Sequence, residues 1–262
     1  MITEYNKKLN SSYNVYEKYN SYKSYRKQVT DRIKSILSTD SNLLIVGAGN
    51  LSDLDLSALS KYEVTLLDID EEAMKEGIKR QGLNLKDFTL IKGDLTGLET
   101  TDFFGNLDEM REDYLTSPIK ISLSQYDVIV VLPIYTQLLL PQLLSILGYE
   151  RVQMYLPLIQ NRIDVLNAFL REHLKSDGKI IAFSDVLEYD HSQEEYQFLK
   201  VHENNTLLLE DFYTQYLNTY GHGLGSYGLF EISQKLNVFK EDYLIWPFSK
   251  ERLMLIKMIV AK

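Results

Sequence analysis

Two glycines and two aspartates stand where strand ends of a parallel sheet could use them for chemistry. An apolar run, Leu43 to Val46, ends in Gly47-Ala48-Gly49; Asp68 comes nineteen residues after Gly49 in "EVTLLDID"; Asp94 closes "FTLIKGD". Glycines at a strand end let the backbone turn sharply and approach a ligand with no Cβ in the way, and a helix after the turn would offer free N–H groups. A carboxylate at the end of the next strand can accept both hydroxyls of a ribose, fixing the sugar by charge-assisted bonds. Asp94, in the same layer, is placed to reach an adenine ring. Alone, Gly-x-Gly equally marks a plain turn, and Asp68 and Asp70 equally cap the next helix. The conjunction of a glycine turn, an Asp and another Asp at three successive strand ends points to a nucleoside.

The elements that must position these residues read as an alternating α/β chain. Residues 1–40 have helical spacing (Tyr22, Tyr25, Val29, Ile33, Ile36) with a break at "NSS", 10–12, and form a Tyr-rich helical extension to a domain over 41–262. Leu43–Val46 has the continuous apolar character of a strand buried on both faces. A helix is expected over about 52–60, then the strand ending at Asp68, a helix capped by Asp70 and stopped by Gly82, and a third strand at 88–94. Residues 97–125 are polar and irregular. "YDVIVVLP" (126–133) is a fourth strand, helices follow over about 135–147 and from Pro157 to "SDG" at 176–178, and "KIIAFSD" (179–185) is a fifth strand. This rhythm predicts a doubly wound, mostly parallel sheet with right-handed crossovers. "DYLIWPFS" and "RLMLIKMIVA", separated only by "KE", must form a hairpin, so one of them runs antiparallel to the rest.

Composition limits the ligands. Lys and Arg number 28 against 37 Asp and Glu, and the net charge of −9 repels phosphate backbones and anionic lipid, arguing against nucleic acid or membrane as partner. There is no Cys and there are four His, so thiolate chemistry is excluded and no metal site is expected. Without a signal-peptide core or an 18-residue apolar run, a cytoplasmic protein is expected.

The nucleotide is constrained by the loop itself. A dinucleotide fingerprint needs a third glycine where Ser52 stands, and Asp53 and Asp55 would compete with a pyrophosphate for the same amides. A ligand with a positive centre and no phosphate, S-adenosyl-L-methionine, matches better. "LLIVGAGN", "VTLLDID", "IKGD", "YDVIVVLP" and the hairpin "DYLIWPFSKERLMLIKMIVA" together resemble the successive motifs of the class I S-adenosylmethionine-dependent methyltransferases over residues 42–262. The resemblance implies a seven-stranded sheet with an antiparallel C-terminal strand. It implies a cofactor set of Gly47, Ala48, Gly49 and Asn50 at the methionine, Asp68 and Ile69 at the ribose, Asp94 and Leu95 at the adenine, and Leu132 and Pro133 facing the methyl group. The sequence departs from the family at Ile45, where an acid is usual, and at Leu51, where a third glycine is common; Asn50, Asp53 and Asp55 return polar side chains to the loop.

Methyl transfer needs alignment and, for some acceptors, a base. Leu132-Pro133-Ile134-Tyr135 lacks the Asn/Asp-Pro-Pro-Tyr/Phe motif that the family uses on amino groups of bases and amides, so a small-molecule or peptide acceptor is expected. Candidate acceptor contacts are Tyr135, Asp185, His191 and His222, the last in the glycine-rich "YGHGLGSYG", which reads equally as a surface loop. His173 reads as structural and His202 as solvated. Two other functions fit the residues: a non-catalytic methyltransferase-like binding or assembly protein, and an NAD(P)-dependent oxidoreductase. The N-terminal helices serve either a homodimer contact or closure over the cofactor.

Overall fold

The computed structural model describes residues 15–97 and 117–262. The helical segment expected before "NSS" and most of the polar stretch over 97–125 lie outside these residues. Two N-terminal helices, α1 (Val15–Ser21) and α2 (Lys23–Lys34), precede β1 (Asn42–Val46), β2 (Glu63–Asp68), α3 (Glu71–Arg80), β3 (Thr89–Lys92) and β4 (Tyr126–Val131). Then come α4 (Leu140–Val152), α5 (Leu156–Glu172), β5 (Leu174–Asp190), α6 (Glu194–Val201), α7 (Thr206–Tyr220), α8 (Leu224–Lys235), β6 (Val238–Trp246) and β7 (Arg252–Ala261).

The strands form one seven-stranded sheet in the order β3-β2-β1-β4-β5-β7-β6. β1 pairs in parallel with β2 on one side and β4 on the other, so the strand order reverses beside the Gly47 turn, the place where open α/β sheets bind ligands. β7 runs antiparallel to β5 and to β6, giving the expected hairpin.

Apolar strands bury both faces because helices cover both. On one face Leu44, Val46, Ile129 and Val131 meet Ile159, Ile163, Leu166 and Leu170 of α5 and Leu229 and Ile232 of α8. On the other, Leu43, Ile45, Val128 and Val130 share a core with Met74 and Ile78 of α3 and with Tyr22, Tyr25, Val29 and Ile33 of α1–α2. Full burial of Val29 and Ile33 contributes roughly 2 kcal/mol each. The N-terminal helices are thus packed onto the sheet. The Asp70 carboxylate accepts from the Ala73 amide at 3.1 Å and caps α3. Past its other end Gly82 takes a φ of 71°, and the Leu83 amide donates back to Ile78 at 3.2 Å.

Four elements differ from the expectation. The helix predicted over 52–60 reduces to a single 3₁₀ turn, Ser57–Leu59, because Leu51, Leu54, Leu56 and Leu59 are all buried and point in too many directions for one helical stripe. The helix predicted over 135–147 begins later, at Leu140, after turns, and is kinked at Gly148 (φ 70°). β5 runs past 185 to Asp190 because its outer half pairs with β7 as far as Arg252. The stretch after β5 holds three helices, and "LGSYG" of the glycine-rich segment opens α8. Among the described residues no helix is long and apolar enough to cross a membrane.

Candidate functional site

A cavity of about 800 Å³ opens above the carboxyl ends of the strands. Its base is the turn after β1 and its sides are the ends of β2 and β3, the β4–α4 segment, the protruding β5–β7 ribbon, and Lys18 and Tyr22 of α1–α2. The size lies within the range of natural small-molecule sites.

The turn is built by glycines and held from outside. Gly47 (φ 75°) and Gly49 (φ 46°) take left-handed conformations, and a Cβ on Gly47 would lie 2.1 Å from Ile134 Cγ2. The amides of Gly47 and Ala48 donate to the Leu67 carbonyl at 2.9 and 3.3 Å, and the Gly49 amide donates to Asp68 Oδ2 at 2.8 Å. Leu51 also has positive φ, 56°, so this turn keeps a glycine-type conformation with a buried leucine in it. Because no regular helix follows, the loop is tied down by side chains. Gln81 donates to the carbonyls of Leu51 and Leu54 and accepts from the Leu56 amide; Arg80 donates to the Asn50 carbonyl; Arg26 donates to that of Ser52; Thr30 Oγ1 accepts from the Asp55 amide. Gly77 lets α3 come this close, since a Cβ there would lie 2.5 Å from the Asn50 carbonyl oxygen.

Carboxylates dominate the lining: Asp53, Asp68, Asp94, Asp185 and Glu188, against Lys18 and Arg252. Burial pushes the Asp68 carboxyl up to about 6, although the amides of Asp70 (2.9 Å) and Gly49 pull it down. Burial raises Asp53 to about 7, against the attraction of Arg26 and Lys18. Asp185 is raised to about 6 by burial, opposed by the Thr136 hydroxyl that donates to Oδ2 at 2.6 Å. Among the described residues, Asp53 Oδ1, Asp185 Oδ1 and the Ser52 hydroxyl find no hydrogen-bond partner. Buried polar atoms left unpaired at a cavity are groups for a ligand or water to satisfy.

On the far side Asp94 Oδ1 accepts from the Thr96 amide and hydroxyl at 2.8 and 2.6 Å. Behind it the fully buried Arg162 of α5 donates Nε to the Leu95 carbonyl at 2.8 Å and Nη1 to the Ser117 carbonyl at 2.7 Å. Burial lowers its guanidinium to about 10, and Asp94 opposes that shift.

The structure brings Gly47, Ala48, Gly49, Asn50, Asp68, Ile69, Asp94, Leu95, Leu132, Pro133 and Asp185 to one cavity. It puts three other candidates elsewhere. Tyr135 is fully buried, its hydroxyl donating to Asn167 Oδ1 at 2.8 Å, and its ring fills the space a Cβ on Gly228 would need. His191 is exposed and faces Asp190 at 3.1 Å. His222 lies beside Ser226 and Phe230, on a separate hollow of about 80 Å³. His173 closes α5 with Nδ1 at 2.8 Å from the Phe169 carbonyl oxygen, whereas His202, expected in solvent, lies half-buried with its ring 4.6 Å from that of Phe198. Lining residues absent from the sequence expectation include Tyr22, Thr136 and Trp246. The clue to Tyr22 was the run of tyrosines at helical spacing.

Strand order, switch point and antiparallel C-terminal strand make this the class I methyltransferase fold. No family model and no curated protein matches the chain. Among solved structures the chain is similar to TehB from Haemophilus influenzae (TM-score 0.48, 13% identity), over 90% of this chain but only 61% of that one. It is also similar to the N-methyltransferase NodS from Bradyrhizobium japonicum (TM-score 0.45, 10% identity, 90% of this chain and 97% of that one). A third likeness is to a SAM-dependent methyltransferase from Methanosarcina mazei (TM-score 0.45, 16% identity, 88% and 95%).

Proposed function

We propose that the protein is an S-adenosyl-L-methionine-dependent methyltransferase acting on a small-molecule or peptide acceptor. The observation that carries this reading is Asp68: one carboxylate at the end of β2 braces the Gly49 amide with Oδ2 and the Asp70 amide with Oδ1, while bordering the cavity. Each oxygen keeps a lone pair for a ribose hydroxyl. Asn50 and the glycine turn would meet the amino-acid end of the cofactor, Ile69 would lie beside Asp68 at the ribose, and Asp94 and Leu95 would border the base. The acidic lining suits a ligand with a sulfonium and an ammonium, and bound cofactor would supply an electrophilic methyl group. The departures at Ile45 and Leu51 are compatible with this fit, because Ile45 is wholly buried in the core and Leu51 adopts the turn that glycine would. The same features disfavour a nicotinamide dinucleotide, whose pyrophosphate would meet the carboxylates of the lining with no helix N-terminus behind the turn.

The test is calorimetric titration of the folded protein with S-adenosylmethionine and S-adenosylhomocysteine, with NAD and NADP as controls. Selective binding that Asp68→Ala abolishes is the expected result. Absence of binding by a folded protein would leave the fold serving a non-catalytic role, and preference for NAD would overturn the reading.

A further inference from the structure

The part of the cavity beyond the cofactor residues has its own chemistry. Leu138, Leu144, Val152, Leu156 and Leu224 give it an apolar wall. Asp185 stands at that wall, on the part of β5 that pairs with β7. Gly225 lets the start of α8 press onto the strand there, since a Cβ would lie 2.0 Å from the Asp185 carbonyl oxygen.

The Asp185 carboxylate is held but not satisfied. Thr136 donates to Oδ2, fixing its orientation, and among the described residues Oδ1 has no hydrogen-bond partner. A buried carboxylate ordinarily collects several donors or a cation. Among the described residues, none forms an ion pair with it. Of the two cations that line the cavity among the described residues, Arg252 is committed to Glu188 at 2.7 Å, and Lys18 lies over the Phe248 ring, 5.6 Å from its centroid.

We propose that this chamber binds an organic ammonium ion, its alkyl or aryl body among the leucines and its charged nitrogen on the Asp185 carboxylate. The inference deepens the methyltransferase reading by naming the acceptor class as an amine held in its ammonium form, whose nitrogen gains the lone pair that transfer needs only once it has given a proton to the Asp185 carboxylate, and it rests on that reading for the step from binding to transfer. A carboxylate or phosphate acceptor would meet like charge from Asp185. A neutral alcohol would bury the same apolar surface and leave the Asp185 charge uncompensated.

The test uses the full chain without cofactor and three phenylalkyl probes of equal overall length: 4-phenylbutylamine, 4-phenylbutanol and 4-phenylbutyrate, titrated calorimetrically. The amine should bind about tenfold or more tightly than the alcohol, and the butyrate least well. Asp185→Asn should erase the amine's advantage over the alcohol, while Asp53→Asn keeps it. Equal binding of amine and alcohol to the wild-type protein would overturn the proposal, and this comparison stands even if Asp185→Asn fails to fold. An advantage that survives Asp185→Asn, or disappears only in Asp53→Asn, would overturn it as well. A parallel titration with S-adenosylhomocysteine separates the two readings: amine binding without cofactor binding removes the methyltransferase and leaves the ammonium site, and the converse removes the ammonium site alone.

Discussion

Asp53 should make the protein less stable as pH rises, and Asp53→Asn should remove most of that loss. Its carboxyl is raised from 3.8 to about 7 by burial, with Tyr22 and Tyr25 near it and Arg26 and Lys18 supplying partial compensation. The folded protein therefore keeps a proton that the unfolded chain releases. Stability is highest below the unfolded value, falls as pH rises through the interval between the two values, and is level above about 7. At about 1.4 kcal/mol per unit, the loss from this one group between pH 5 and 8 is about 2.5 kcal/mol. Urea unfolding of wild type and Asp53→Asn at both pH values reads it directly. Asp68 and Asp185 titrate in both proteins, so the difference between the two pH dependences isolates Asp53. Equal pH dependence in wild type and variant, with unchanged urea m-values, would refute the argument.

Three further outcomes follow from the loop and its supports. Gly77→Ala puts a methyl group 2.5 Å from the Asn50 carbonyl oxygen and should cost about 2–3 kcal/mol in thermal unfolding while weakening S-adenosylhomocysteine binding in titration. At Leu51, with φ of 56°, the glycine variant should be more stable than the alanine variant by about 1 kcal/mol, a reversal of the usual order, checked by chemical denaturation of the pair. Arg162→Met strips donors from the carbonyls of Leu95 and Ser117 and should destabilise by about 2–4 kcal/mol, seen as a lowered melting temperature, with looser binding on the Asp94 side.

What could be read in the sequence was what the sequence holds locally. β1, β2 and β4 show as apolar runs because both of their faces are covered, and the glycine turn and the acids at the strand ends follow from where those runs stop. The helix expected over 52–60 failed because its buried leucines do not lie on one stripe and because its backbone at Ser52, Leu54 and Asp55 is bonded instead to Arg26, Gln81 and Thr30, side chains from elements on either side in sequence. The outer half of β5 was hidden because "VLEYD" becomes a strand only by pairing with Arg252–Leu255 of β7. Tyr135 and His222 had suitable chemistry and nearby positions, but one turns into the core to meet Asn167 and the other onto Phe230. Thr136 could not be selected over Tyr135 from sequence, since the difference is which way two adjacent side chains point after β4.

The aromatic join between α2 and the β6–β7 hairpin has a consequence for how the molecule comes into being. Tyr22 donates to the Phe248 carbonyl at 2.9 Å across a sequence separation of 226 residues, and Trp246 lies 5.7 Å from both the Tyr22 and Tyr25 rings. A chain emerging from the ribosome can assemble β1 through β4 early, but the wall carrying Tyr22 has no counterpart until the segment through Phe248 has been made. Contacts so distant in sequence form late and slowly. Ligand added during synthesis should therefore rescue folding only after the hairpin emerges, and a ribosome-stalled chain ending before residue 240 should hold a sheet without a finished chamber.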